Sequence, residues 1–249
     1  MYSIGIDSGS VATKGVLFNG DICRKIIIPT GWNPKETSKE VFERLREEAN
    51  GRIQSIIGTG YGRVSMDFTD RNVTEITCHA AGAVHLISSI DTVLDIGGQD
   101  SKVIGLNSKG QVKKFIMNDK CAAGTGVFLQ ETLTKLGISI EAIDTFEPPE
   151  NPVVISNMCA VFASSEIVSM LAKGINKNQI VHGIINTIAQ RAANQLDKVN
   201  TTGEILFTGG LSQSDLIREK IQGKVNRKVH SVKDSQFAGA IGAAKIALK

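Results

Sequence analysis

Two short segments pair an aspartate with small residues that can approach a phosphate group. Asp7 is followed by the turn SGS (8–10), and Asp95 is followed one residue later by GG (97–98). Backbone N–H groups in such turns can bind phosphate oxygens because no side chain blocks the approach. The adjacent carboxylate can hold Mg²⁺, usually through water. Each segment alone is equally consistent with an ordinary hairpin turn, because glycine motifs often occur by chance.

The two segments belong to a weak internal duplication. Residues 5–18 (GIDSGSVATKGVLF) and 93–106 (VLDIGGQDSKVIGL) share an apolar strand, an aspartate, a Gly-rich turn, a lysine and a returning strand. A third glycine pair, at 209–210, follows the apolar segment EILFT. Two copies facing each other would bind a polyphosphate from both sides of a cleft, and the third pair would let another backbone segment lie close to a nucleotide. The repetition favours a nucleotide site over three unrelated turns.

Cys121 and Cys159 are candidate ligands for a metal group. Each stands beside polar residues, at 119–120 and 156–157, and ahead of small residues and a predicted helix. A free cysteine is often a small buried hydrophobe, and that is the simpler interpretation of either residue alone. Helix N-termini favour an anionic group by about 0.3–1 kcal/mol at exposed sites, which favours the ligand interpretation here.

One chain offers only this pair of candidate ligands. A [4Fe–4S] cluster normally takes four cysteines, and a twofold dimer would supply two from each subunit with the group on the symmetry axis. A tetrahedral zinc ion shared by a dimer would take the same number of ligands. The residues alone leave both groups open.

The remaining cysteines and histidines give less support for a metal site. Cys23 lies on a predicted strand and is expected to pack. Cys78 and His79 lie in a predicted helix that begins near Glu75, where a core position is simpler than a metal site. No role follows for these two residues or for the segment TGYGR (59–63). No ligand pattern surrounds the remaining histidines, His85, His182 and His230.

Hydrophobic periodicity predicts the elements that would position these residues. The predicted strands cover 2–7, 13–18, 23–29, 52–58, 111–117 and 204–210, with two more in the second copy of the duplication. The predicted helices cover 36–49, 75–88, 125–137, 160–173, 178–199 and 237–249.

Composition excludes several classes of protein. The 249 residues include 28 basic and 25 acidic side chains, a net charge of +3 that is too balanced to indicate nucleic acid or a membrane surface. No apolar run approaches the ~20 residues of a membrane helix, and the N-terminus lacks the pattern of a signal peptide. The four cysteines include no CxxC pair, so a cytoplasmic protein with reduced thiols is expected.

Several motifs carry a resemblance to a known family. GIDSGSVATKG, VLDIGGQDSK and ILFTGG, in this order, resemble the two phosphate motifs and the adenosine motif of the actin, Hsp70 and sugar-kinase superfamily. NDKCAAGTG, MCAVFASSE, TGYGR and FAGAIGAA look like the activator ATPases of 2-hydroxyacyl-CoA dehydratases, of the BadF/BadG/BcrA/BcrD type, which are relatives of the ATPase subunits of benzoyl-CoA reductase. The resemblance covers nearly the whole chain. Val11 departs from it, since family members often carry Thr or Ser there.

The resemblance implies an α/β fold of two ribonuclease-H-like lobes with ATP between them. Residues 1–90 would form the first lobe, to which a C-terminal helix at 235–249 returns, and residues 91–234 would form the second lobe with the cluster cysteines. Asp7 and Asp95 would serve Mg²⁺, and Asp100 with Gln99 would orient the attacking water. The nucleotide-binding residues would be Ser8, Gly9, Ser10, Thr13, Gly97, Gly98, Gly124, Thr125, Gly209 and Gly210.

The implied function is ATP-dependent donation of single electrons to a 2-hydroxyacyl-CoA dehydratase or a related acyl-CoA reductase. ATP would be hydrolysed to ADP, and Cys121 and Cys159 of both subunits of a homodimer would hold an oxygen-sensitive [4Fe–4S] cluster. A reduced ferredoxin or flavodoxin would be the donor. Two other functions use the same nucleotide site: a small-molecule kinase of the sugar-kinase type, and an ATP-dependent assembly factor without a redox centre.

Overall fold

The computed structural model describes residues 1–155 and 159–249, and within them the chain forms two sheets of five strands each. The strands of the first sheet are β1 (Tyr2–Ser8), β2 (Ala12–Phe18), β3 (Ile22–Pro29), β4 (Ile53–Thr59) and β5 (Arg71–Asn72). Those of the second sheet are β6 (Thr92–Ile96), β7 (Ser101–Leu106), β8 (Val112–Asn118), β9 (Ile205–Thr208) and β10 (Val229–His230). The helices are α1 (Pro34–Glu47), α2 (Glu75–Leu86), α3 (Gly126–Leu136), α4 (Ala160–Ala172), α5 (Lys177–Asp197), α6 (Asp215–Val225) and α7 (Ala238–Ala247).

The two sheets repeat one topology. Their strand orders are β3-β2-β1-β4-β5 and β10-β9-β6-β7-β8, so each has an antiparallel meander whose first strand also pairs in parallel with a later strand. The strand register places Asp7 opposite Lys14 in the first sheet and Asp95 opposite Lys102 in the second. The predicted two-lobed α/β fold is therefore confirmed, and the duplicated motifs occupy equivalent places in it.

The last helix returns to the first sheet. α7 packs on β1, β2 and β4 and against α2. This approach requires glycine, because a side chain on Gly82 would overlap the carbonyl oxygen of Ala238 and one on Gly242 would overlap that of Cys78. The exact lobe division given above remains a prediction.

The second lobe has the larger core around the candidate site. Leu129 and Leu133 of α3 pack with Ile184 and Ile188 of α5, and all four are buried against the second sheet. Full burial of such a side chain contributes about 1.5–3 kcal/mol. This packing fixes the position of α3, whose first turn lies at the candidate site.

The sequence predictions fail at a few places. α6 and the short strands β5 and β10 were not expected, whereas the other helices lie close to their predicted bounds. The expected packing of Cys23 is wrong, because this residue lies on the edge strand β3 and is exposed. Across residues 1–155 and 159–249, no helix combines the length and apolarity needed to cross a membrane.

Candidate functional site

A cleft between the two sheets brings the three glycine-containing segments together. Its described lining includes Tyr61, Glu75, His79 and Lys102 as well as the turns that follow β1, β6 and β9. Nine of the residues predicted to bind nucleotide, Mg²⁺ or the attacking water line this cleft: Asp7, Gly9, Ser10, Asp95, Gly97, Gly98, Asp100, Gly209 and Gly210. Segments far apart in the sequence thus converge on one site.

Five other predicted residues do not belong to the described lining. The Ser8 hydroxyl lies 3.1 Å from the Ser38 hydroxyl, and the buried Thr13 hydroxyl lies 3.0 Å from that of Thr30. These hydrogen bonds tie the first turn to the surrounding lobe. Direct contact of these residues with a nucleotide remains a prediction, as it does for Gly124 and Thr125, and so does the role of Gln99 in orienting water.

A buried lysine joins the carboxylates at the base of the cleft. The side chain of Lys102 is 1% exposed, and its ammonium lies 2.5 Å from Glu75 Oε1, 2.7 Å from Asp100 Oδ2 and 3.3 Å from Asp95 Oδ2. A charge taken out of water requires partners of opposite sign, and here three carboxylates supply them. The resulting cluster includes Glu75 on α2 and the two aspartates on either side of the turn at 97–98, called the second phosphate turn below.

Burial and pairing act against each other on the pKa values of this cluster. Burial lowers the pKa of Lys102, but the carboxylates of Asp95, Glu75 and Asp100 outweigh it and raise that pKa above its ordinary value. Burial also raises the pKa of Asp95, but His79 and Lys102 outweigh it and hold the value below the usual range. For Glu75, burial prevails and raises the pKa. The ammonium of Lys102 and the carboxylate of Asp95 are therefore charged at neutral pH.

His79 lies between the two aspartates predicted to serve Mg²⁺. Its Nδ1 is 3.4 Å from Asp95 Oδ1, without a hydrogen bond to any described residue. On the other side, a Cβ on Gly239 would lie 2.9 Å from His79 Nε2 and 2.5 Å from Asp7 Oδ2, so these two atoms share one small space. Ligand atoms of Glu75, His79 and Asp95 lie within 4.8 Å of one another, an arrangement that can hold a metal ion.

Sequence reasoning missed Glu75, His79 and Lys102 as residues of the site. Only Lys102 had a usable signal in the sequence, because it occupies the place in the second copy of the duplication that Lys14 occupies in the first. Both lysines line the cleft. Glu75 and His79 come from α2, whose packing against α7 and the second sheet brings them to the aspartates.

Val11 connects the two phosphate turns across the cleft. Its side chain occupies the space in front of Gly98, where a Cβ would lie 2.3 Å from Val11 Cγ2. Gly98 therefore serves this contact as well as the predicted approach to phosphate. The departure from Thr or Ser at position 11 places an apolar contact between the lobes.

The second phosphate turn is hydrogen-bonded to the start of α3. The N–H of Gly126 donates to Gly97 O at 2.9 Å, and the N–H of Val127 donates to Gly98 O at 2.8 Å. These N–H groups would otherwise lack partners within the helix. The turn that would bind phosphate and the helix that follows Cys121 are thus joined by backbone hydrogen bonds.

The candidate cysteine ligands differ in exposure but are both within reach of solvent. Cys121 is half-buried, its carbonyl accepts from Asn118 Nδ2 at 3.0 Å, and α3 begins after its N-cap at Thr125. Cys159 is exposed and is itself the N-cap of α4. The polar residues at 156–157 that supported a ligand role lie outside the described residues.

The remaining cysteines do not fit a metal group. Burial raises the pKa of Cys78 to about 12, so this thiol stays protonated at neutral pH. Cys23 lies on the first sheet, away from the helix starts. Of the three thiols that reach solvent, Cys121 and Cys159 are the two that lie near helix starts.

The chain belongs to the BadF/BadG/BcrA/BcrD ATPase family, whose model matches residues 4–247. It is 45% identical to the uncharacterised protein YjiL of Escherichia coli K12, covering 98% of this chain and 96% of that protein. It is 35% identical to the activator of lactoyl-CoA dehydratase of Anaerotignum propionicum, over 98% of this chain and 96% of that protein.

A solved structure confirms the expected class of fold. The activator of the 2-hydroxyisocaproyl-CoA dehydratase of Clostridium difficile, with bound ADPNP, superimposes with a TM-score of 0.93 at 33% identity. The match covers 100% of this chain and 94% of that one. The resemblance drawn from the motifs is thus confirmed at the level of family and of the actin-like fold.

Proposed function

We propose that the protein is an ATP-dependent one-electron donor for a 2-hydroxyacyl-CoA dehydratase or a related acyl-CoA reductase. The observation that carries the proposal is the pair of hydrogen bonds from Gly126 and Val127 to the carbonyls of Gly97 and Gly98. They connect the nucleotide cleft to the loop at 119–125 that contains Cys121, called the cysteine loop below. A small-molecule kinase does not need such a connection. The dehydratase activators among the relatives support the same function.

In this proposal Mg-ATP lies between the lobes. Asp7 and Asp95 hold Mg²⁺ through water, and backbone N–H groups of the turns at 8–10 and 97–98 bind the phosphates. Gly209 and Gly210 let their backbone lie close to the nucleoside. The bound ADPNP in the related activator supports nucleotide binding.

Hydrolysis to ADP and phosphate requires a positioned water molecule. Asp100, with Gln99 beside it, orients this water, and Lys102 holds the Asp100 carboxylate from 2.7 Å away. The positive charge of Lys102 also offsets the negative charge that three carboxylates would otherwise direct at the phosphates.

Cys121 and Cys159 of both subunits of a homodimer supply the four thiolates that a [4Fe–4S] cluster takes. Held by these thiolates, a cluster would supply one-electron chemistry between a low-potential donor, a reduced ferredoxin or flavodoxin, and the acceptor enzyme. The same four thiolates would also suit zinc, which does not change its oxidation state.

Nucleotide binding reaches the cysteine loop through α3. Phosphate contacts at Gly97 and Gly98 would fix the carbonyls to which the first turn of α3 is bonded, and Cys121 lies in the loop that leads into that turn. Converting a 1:99 population into 99:1 requires about 5.5 kcal/mol of differential binding, which a Mg-nucleotide held by three backbone segments can supply.

Metal analysis after anaerobic purification tests this proposal. We expect a brown protein with about four irons per dimer and no stoichiometric zinc. Cys121→Ala and Cys159→Ala should each lose the iron and shift the protein toward monomer in light scattering. Cys23→Ala is the matched control, because that thiol is exposed on the first sheet, and it should change neither property. A colourless anaerobic preparation, or near-normal iron in either of the first two variants, would contradict the proposal.

A further inference from the structure

The cysteine loop has a cationic neighbour from another helix. Arg191, on α5, directs Nη1 at Cys121 Sγ across 3.5 Å, within the range of a hydrogen bond to sulfur. Arg191 lies 70 residues further along the chain, so neither the cysteine motif nor its spacing pointed to it. The guanidinium is permanently charged, and hydrogen bonds that involve a charged group are stronger than neutral ones.

Gly124 makes room for this arginine. A Cβ on Gly124 would lie 2.8 Å from Arg191 Cδ and 3.5 Å from Arg191 Cβ, so a side chain there would displace the arginine stem. The φ angle of Gly124 is +101°, a conformation that other residues rarely adopt. Both the space and the backbone conformation therefore require glycine here. Gly124, which is also predicted to bind nucleotide, thus lets the arginine reach the sulfur.

We propose that Arg191 is a positioning residue that sets the reduction potential of the group held by Cys121. This inference rests on the proposed function, because it concerns the cluster that Cys121 would bind. Hydrogen bonds to ligand sulfurs and nearby charge are among the protein's main controls on iron–sulfur potentials. A positive charge beside a sulfur ligand favours the reduced, more negative cluster and so raises the potential.

The partly buried position strengthens the effect. Exposed charges are screened by water and salt, whereas Cys121 and Arg191 are both half-buried and the Arg191 stem packs against Gly124. Lysine cannot reproduce the arrangement fully, because its ammonium lacks the planar fork that fixes the direction of the donors. The charge and the geometry can therefore be separated by substitution.

Anaerobic spectroelectrochemical titration tests the proposal. In Arg191→Gln we expect the ratio of reduced to oxidised cluster at a fixed potential to fall about tenfold, which is a shift of about 59 mV to more negative potential for a one-electron couple. Arg191→Lys should shift in the same direction by less. Arg218→Gln on α6, whose guanidinium pairs with Asp215 and Glu219, is the matched control and should keep the wild-type potential.

The outcomes separate this inference from the function on which it rests. Wild-type protein without iron would contradict the proposed function itself. Wild-type protein with full iron, together with Arg191→Gln that keeps both its iron and the wild-type potential, would overturn the role of Arg191 alone. If Arg191→Gln does not retain iron, Arg191→Lys decides, and an unchanged potential in that variant would overturn the proposal.

Discussion

At the scale of single residues, the base of the cleft is organised around Lys102. Its ammonium contacts carboxylates that come from two different parts of the chain, and its side chain is almost completely buried. Removing one partner of a buried pair leaves an uncompensated charge, which is costly. Asp100 is therefore held in place by the same contact that compensates the charge of Lys102, and its position in the cleft is fixed before a nucleotide binds.

This arrangement predicts how Asp100→Asn behaves. The amide keeps the shape of the side chain but cannot orient water as a carboxylate does, so hydrolysis should fall by at least about 10²-fold. Binding of Mg-ATP should change by less than about threefold, which is under 1 kcal/mol. Turnover assays and calorimetry separate the two quantities. The exposed Asp215→Asn is the control, and wild-type hydrolysis in Asp100→Asn would mean that another group positions the water.

The residues that the sequence did and did not reveal differ in how they reach the site. Asp7 and Asp95 lie near the ends of β1 and β6 and precede small residues, so a local pattern contains their whole context. Glu75 and His79 reach the cleft only because α2 packs beside the aspartates, and such packing leaves no local signal. Cys23 was expected to pack because it lies on a predicted strand, but β3 is an edge strand and Cys23 is exposed.

At the scale of elements, α3 connects the two proposed centres. Its N-terminal N–H groups bond to the second phosphate turn, and its apolar face is buried in the second-lobe core. The sequence predicted the helix from its periodicity and placed both cysteines near helix starts. It did not predict that the first turn of α3 would bond to the phosphate turn, because this contact joins residues on either side of two intervening strands.

A proline substitution isolates this connection. Val127→Pro removes the N–H that donates to Gly98 O, while proline is tolerated in the first turn of a helix. We expect ATP hydrolysis to change by less than about threefold, whereas the acceleration of electron transfer by ATP should be largely lost. Val127→Ala keeps the N–H and serves as the control. Full acceleration by ATP in Val127→Pro would show that the coupling follows another route.

At the scale of the whole molecule, the site lies between two lobes of the same topology. The lobes touch at Val11 and Gly98, and the cleft is lined by both phosphate turns. A ligand that binds both turns can therefore bias the angle between the lobes, as long as it binds one arrangement more tightly than the other. The exposed Cys159 at the start of α4 places the proposed shared group at the surface, where a partner can reach it.

The measurement that tests the central claim most directly is anaerobic stopped-flow mixing of the reduced protein with an acceptor dehydratase. Three mixtures are compared, with Mg-ATP, Mg-ADP or no nucleotide, and electron transfer is followed by the absorbance of the reduced protein. We predict that transfer with ATP is at least about tenfold faster than in the other two mixtures, a difference of about 1.36 kcal/mol in the barrier. Equal rates in all three mixtures would contradict the coupling of nucleotide to electron transfer, even if the iron and the ATPase activity were both present.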